Sequence, residues 1–87
     1  MNYKLDFKPT AVKDIKRLPK TIQKRIKKKL EFYLNQQDTM SYAVPLMGGG
    51  KGGDYRFRVG DYRVVFDKNG NVLTVLYVEH RKDVYRK

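Results

Sequence analysis

Two tight-turn dipeptides, Gly60-Asp61 and Asn69-Gly70, divide residues 54–78 into three runs of strand-like residues. This pattern limits the chain more than any other feature. Tyr55, Phe57 and Val59 alternate with Arg56 and Arg58, and Tyr62, Val64 and Phe66 alternate with Arg63 and Val65. Period-two alternation around Gly-Asp and Asn-Gly predicts a β-meander. The third run, Val72–Val78, is apolar on both faces, as expected of a central or doubly covered strand. With Gly60-Asp61 as a two-residue turn, Val59 pairs with Tyr62, Arg58 with Arg63, Phe57 with Val64 and Arg56 with Val65. With Asn69-Gly70 as the second turn, Phe66 pairs with Leu73, Val64 with Val75 and Tyr62 with Tyr77. Leu73, Val75 and Tyr77 then share the core face, and Thr74 and Leu76 join Arg56, Arg58, Arg63 and Val65 on the other.

The chain before the meander reads as one strand and two helices. Asn2–Phe7 alternates Tyr3, Leu5 and Phe7 against Lys4 and Asp6. Val12, Ile15 and Leu18 fall at helical spacing within residues 9–18, and Pro19 ends that helix. From Lys20, the stripe Ile22, Ile26, Leu30, Tyr33 and Leu34 marks a second helix, antiparallel to the first. Asp38–Gly53 reads as a loop, because five of residues 48–53 are Gly. The tail, His80–Lys87, is short and basic. The expected fold class is α+β: an N-terminal strand and a two-helix hairpin packed on one face of an antiparallel sheet that ends in the meander.

Composition limits what such a fold can do. At 87 residues the chain is expected to form one domain, residues 1–87, too short for a catalytic domain plus a cofactor module. It contains no Cys, so disulfides and zinc-thiolate sites are excluded. No run approaches the ~20 apolar residues of a membrane span, and Lys4, Asp6 and Lys8 interrupt any leader-like start. A cytoplasmic protein is expected. The net charge of +11 points to a polyanionic partner, either nucleic acid or an acidic protein. The excess divides by kind. Residues 1–40 carry +7, with nine Lys and two Arg; residues 41–87 carry +4, with four Lys and five Arg. Lys is a hydrated point charge suited to long-range attraction, whereas Arg is a planar fork that clamps phosphate.

Arg58 and Arg63 opposed across a turn repel one another unless an anion lies between them, so the arginine face is either an anion site or a solvated surface. His80 is the only histidine and reads as structural or solvated rather than catalytic. No His, Asp or Glu spacing suits a metal, and only Ser41 and His80 are present for a hydrolytic triad. The Gly48–Gly53 run lacks the Gly-Lys-Ser/Thr ending of a phosphate-binding loop. The Lys24–Lys29 run is a wet helix face or a surface for RNA backbone or an acidic partner.

The order of elements, the stretch Asp54-Tyr55-Arg56-Phe57-Arg58-Val59-Gly60-Asp61-Tyr62-Arg63-Val64-Val65-Phe66 and the tail His80-Arg81-Lys82-Asp83-Val84-Tyr85 together resemble the RelE/ParE toxin superfamily, its RelE branch in particular. The resemblance covers essentially the whole chain. It implies the toxin of a type II toxin–antitoxin pair that cuts mRNA in the ribosomal A site by attack of a ribose 2′-OH on the adjacent phosphate. No metal or other cofactor is implied. The family's sheet-face cations fall on Arg56 and Arg58, its phosphate clamp on Arg63, and its C-terminal arginine and tyrosine on Arg81 and Tyr85. RNA contacts are expected from Lys24, Lys28, Lys51, His80 and Lys82. The family often has Lys where this chain has Arg56 and Arg58, and Arg is a poor general acid or base. Proton transfer then falls to Tyr85, His80, or water and ribosomal RNA. The implied partners are a cognate antitoxin, wrapping the helices and covering the basic face, and the ribosome with its mRNA. The alternatives are a ParE-like inhibitor of DNA gyrase and a non-catalytic RNA- or antitoxin-binding module.

Overall fold

A computed structural model describes residues 3–47 and 52–84. In chain order these form β1 (Lys4–Phe7), α1 (Pro9–Lys16), α2 (Lys20–Leu34), a 3-10 turn (Thr39–Tyr42), β2 (Val44–Pro45), β3 (Tyr55–Val59), β4 (Tyr62–Asn69), β5 (Val72–His80) and α3 (Arg81–Val84). The sheet order is β1-β5-β4-β3-β2. β1 runs parallel to β5, so the sheet is mixed, while β5, β4, β3 and β2 pair antiparallel. The α+β class and the helix-over-sheet arrangement are as expected. Among the described residues no helix is long and apolar enough to cross a membrane.

Pro9 opens α1 at a position where its missing N–H costs nothing, and Pro19 caps α2. α2 lays Ile26, Leu30 and Tyr33 against Phe57, Val59, Val64 and Phe66, which are all buried. The rings of Tyr33, Phe57 and Phe66 stack in series, with centroids 4.8 and 4.6 Å apart. The Tyr33 hydroxyl then donates to the Arg58 carbonyl at 2.8 Å, so α2 holds the backbone of β3 at an arginine. The buried Thr39 hydroxyl donates back to the Tyr33 carbonyl at 2.9 Å and closes the end of α2.

The first hairpin has the expected register throughout, from Val59 opposite Tyr62 to Arg56 opposite Val65. The second hairpin differs. Its turn is Gly70-Asn71: Asn69 pairs with Val72, Lys68 with Leu73 and Phe66 with Val75. Gly70 has φ 62°, and no non-glycine residue among those described has positive φ, so the turn places its glycine first, as a II′ turn requires. Both registers bury Leu73 and Val75, so the hydrophobic pattern does not choose between them.

A β-bulge then shifts the pairing again. Phe66 pairs with Val75 but Val65 with Tyr77, which leaves Leu76 as the extra residue. Beyond the bulge Val78 opposes Val64, Glu79 opposes Arg63 and His80 opposes Tyr62. The expected Tyr62–Tyr77 and Val64–Val75 pairs are therefore replaced. Tyr77 moves from the core face to the arginine face, and Val78 takes its place in the core.

The bulge is held from α1. β1 stops at Phe7, opposite Val75, which exposes the rest of the β5 edge. The Lys8 amide donates to the Val75 carbonyl at 2.9 Å. The Thr10 hydroxyl donates to the Leu76 carbonyl at 2.6 Å, and the Val78 amide donates to the Asp14 carboxylate at 3.0 Å. Side chains of α1 thus satisfy the backbone groups that a strand partner would otherwise take.

The Asp38–Gly53 segment also contains order that a loop reading does not anticipate. Val44 pairs with Arg56 and Pro45 with Tyr55, making β2 the far edge of the sheet. Gly53, at φ 105°, brings the chain back over Val65 on the arginine face, where Leu46 and Leu76 also lie. Val65 is buried there, away from the main core. A Cβ at Gly53 would run into Val65 Cγ1. Gly53→Ala is expected to cost about 2–4 kcal/mol, from a left-handed backbone and a contact that cannot relax. Thermal unfolding of the variant should show a Tm lower by roughly 10 °C or more.

Candidate functional site

The face of the sheet turned away from α2 carries Arg56 and Arg58 on β3, Arg63 on β4, and Tyr77 and Glu79 on β5. Arg58, Arg63 and Glu79 stand in one row across three strands, each about 4.8 Å from the next. Arg58 is exposed, and Arg56, Arg63, Tyr77 and Glu79 are half-buried. The repulsion expected between Arg58 and Arg63 is therefore countered from the β5 side by a carboxylate of the chain itself. Burial pushes the Tyr77 phenol above its ordinary value; the nearby Glu79 carboxylate pushes the same way and the Arg63 guanidinium opposes it. The phenol thus senses the Arg63 and Glu79 charges of the row.

Arg81 follows β5 directly. Its backbone N–H donates to the Asp61 carbonyl at 2.6 Å, tying the start of α3 to the β3–β4 turn. That bond brings Arg81 to the end of the sheet where Arg58 and Arg63 stand. Lys82 comes next, exposed, and its amide donates to His80 Nδ1 at 3.0 Å. His80 itself falls on the helix face by alternation. Its ring sits edge-on to Tyr62 with centroids 4.9 Å apart. Lys24 and Lys28 are exposed on α2, which packs on the opposite face from the arginines. Tyr85 and Lys51 lie outside the described residues. The structure thus gathers Arg56, Arg58, Arg63 and Arg81, and does not bring His80, Lys24 or Lys28 to them.

Glu79 and Tyr77 are the members of this face that pattern reading misses. The visible signal was slight: an unbroken apolar run gives no hint of where a bulge interrupts it. The two side chains also line a groove of about 670 Å³ beside β5, together with Lys8, Thr10 and Asp14. A second groove, apolar and of about 490 Å³, is lined by Leu5, Phe7, Ile15, Ile26 and Leu30 and edged by Lys24, Lys27 and Glu31. Among the described residues no three His, Asp or Glu side chains converge as a metal site would require.

Comparison with known proteins agrees with this architecture. Residues 5–85 match the model of a family described as the ParE toxin of the type II toxin–antitoxin system parDE. The chain is 36% identical over 83 residues to Toxin RelE3 of Methanocaldococcus jannaschii, covering 94% of both. Among solved structures it resembles the toxin in the RelB–RelE antitoxin–toxin complex from Methanococcus jannaschii, with 35% identity, a TM-score of 0.66 and coverage of 92% of this chain and 94% of that one. It also resembles the toxin of the archaeal RelE–RelB complex from Pyrococcus horikoshii OT3, at 28% identity and a TM-score of 0.69, with 93% of this chain and 97% of that one covered.

Proposed function

This chain belongs to the ParE toxin family of type II toxin–antitoxin systems and is a toxin of RelE type, and from that premise we propose that it is a ribosome-dependent endoribonuclease of mRNA. The observation that carries this reading is the arginine row. Arg58 and Arg63 stand in register on the sheet face opposite the helices, with Arg81 tied by its backbone to the adjoining turn. Such a cluster suits a phosphate whose negative charge grows as a 2′-oxygen attacks it. Arg63 and Arg81 clamp the phosphate, Arg56 and Arg58 hold the flanking backbone, and Tyr85 stacks on a base or orients the 2′-OH. Attack yields a 2′,3′-cyclic phosphate and a 5′-OH end. The charge stabilisation comes from guanidinium groups, so the reading calls for no cofactor.

The ribosome supplies what so small a chain lacks. It holds the mRNA in the A site, and the Lys-rich first half of the chain favours docking on ribosomal RNA in the cytoplasm. The second partner is a cognate antitoxin. An acidic amphipathic segment fits the apolar groove between β1, α1 and α2, with Lys24 and Lys27 at its edge.

The test is to map mRNA 5′ ends in a translating extract with ribosomes present and absent. Cuts confined to A-site codons, and only with ribosomes present, are the expected result. Intact mRNA with inhibited DNA supercoiling would replace this reading by a gyrase inhibitor. Intact mRNA with unaffected supercoiling would leave a binding module.

A further inference from the structure

We propose that Glu79 is the general base of the cleavage, taking the 2′-hydroxyl proton beside the phosphate that Arg63 holds. The inference rests on the endoribonuclease reading and deepens it. RNA cleavage by an internal 2′-OH needs an acceptor for that proton, and the sheet-face cations of this chain cannot serve: an arginine carries its proton at any physiological pH and has no acceptor atom. His80 is turned to the helix face, with its Nδ1 already accepting from the Lys82 amide. Tyr77 shares the arginine face, but its phenol is pushed further above its ordinary value and so holds its proton at neutral pH.

Glu79 satisfies the geometry. The bulge at Leu76 places it directly opposite Arg63, next in line after Arg58 and Arg63. A phosphate bridging the two arginines therefore has a carboxylate about one strand spacing, ~5 Å, from its clamp, within reach of an adjoining 2′-oxygen. Other carboxylates are placed elsewhere. Asp14 lies on α1, Asp54 precedes β3, Asp61 sits in the β3–β4 turn outside the paired strands, and Asp67 pairs with Thr74 on the far side of the bulge, whereas Glu79 is paired directly opposite Arg63. Glu79 also lines the groove beside β5, together with Lys8, Thr10, Asp14 and Tyr77, so the residue borders open space at the edge of the sheet. In the step, Glu79 takes the proton as the 2′-oxygen bonds to phosphorus. The bond from phosphorus to the 5′-oxygen breaks, that oxygen takes a proton from water, and Glu79 returns its own to solvent.

The experiment is single-turnover cleavage on mRNA-programmed ribosomes at saturating toxin for the parent chain, Glu79→Gln, Glu79→Asp and Glu79→Ala. Glu79→Gln should be slower by about 10²–10⁴-fold, with ribosome affinity not weakened and Tm close to the parent's. Glu79→Asp should keep part of the rate, since the shorter side chain still carries a carboxylate. Glu79→Ala should be partly restored by added formate, which a merely structural role would not allow. A Gln variant as fast as the parent, or a slow Gln variant together with an Ala variant that formate does not help, overturns the proposal while the endoribonuclease reading stands. A parent chain that cuts no ribosome-bound mRNA overturns both.

Discussion

Arg63→Ala is expected to slow cleavage of ribosome-bound mRNA by about 10²–10³-fold, the usual loss when one preorganised donor to a developing anion is removed. Arg63 lies at the centre of the row, on a strand flanked by β3 and β5, between Arg58 and Glu79. Its removal takes away the fork that orients the phosphate and leaves Glu79 facing that phosphate without its opposite charge. Two acidic groups then meet where one cation stood. The fold should survive, because cross-strand ion pairs contribute only about 0.2–1 kcal/mol, and the variant also relieves the Arg58–Arg63 repulsion. Arg63→Lys should recover only part of the rate, since a point charge lacks the two-point grip of a guanidinium. Single-turnover rates alongside thermal unfolding separate the chemical loss from any structural one. A large fall in Tm for Arg63→Ala would assign the residue to the fold instead.

Phe57→Ala is expected to be the most damaging single change to the core, costing about 3–5 kcal/mol. That is a large part of the ~5–15 kcal/mol by which a typical small domain is stable. Phe57 is fully buried and sandwiched between Tyr33 and Phe66. The cavity it leaves cannot collapse readily, because the Tyr33 hydroxyl is anchored to the Arg58 carbonyl and Phe66 to the central strand. Phe57 sits between Arg56 and Arg58 in the chain, so the same cavity loosens the arginine face from behind. Urea unfolding of Phe57→Ala and Phe57→Leu should rank the two, with Leu the less costly because it leaves the smaller cavity.

The parts of this molecule that repeat were legible in the residues. Period-two alternation around Gly60-Asp61 set the first hairpin to the residue, and with it the shared face of Arg56, Arg58 and Arg63. The stripe from Ile22 to Leu34 likewise placed Ile26, Leu30 and Tyr33 in the core. The second hairpin was not legible, for two physical reasons. Asn69-Gly70 and Gly70-Asn71 are both good turn dipeptides, and both bury Leu73 and Val75, so neither turn chemistry nor hydrophobicity separates them. The bulge depends on Thr10 and Asp14, more than sixty residues away in the chain, which meet Leu76 and Val78 only once α1 is docked. That long-range event moves Glu79 onto the arginine face and turns His80 off it. The glycine segment hid a similar fact, since Gly53 is required by its left-handed backbone and its close approach to Val65.

The central claim is that the arginine face drives a 2′-OH attack on mRNA held by the ribosome. Its most direct test uses two mRNAs that differ only in the A-site codon, one all-ribose and one with 2′-deoxyribose throughout that codon. Each is loaded on ribosomes and mixed with the toxin. The account predicts cutting of the all-ribose codon, with a 2′,3′-cyclic phosphate on the upstream fragment, and no cutting of the deoxy codon. Equal cutting of both, or an upstream fragment ending in a free 3′-OH, would contradict it.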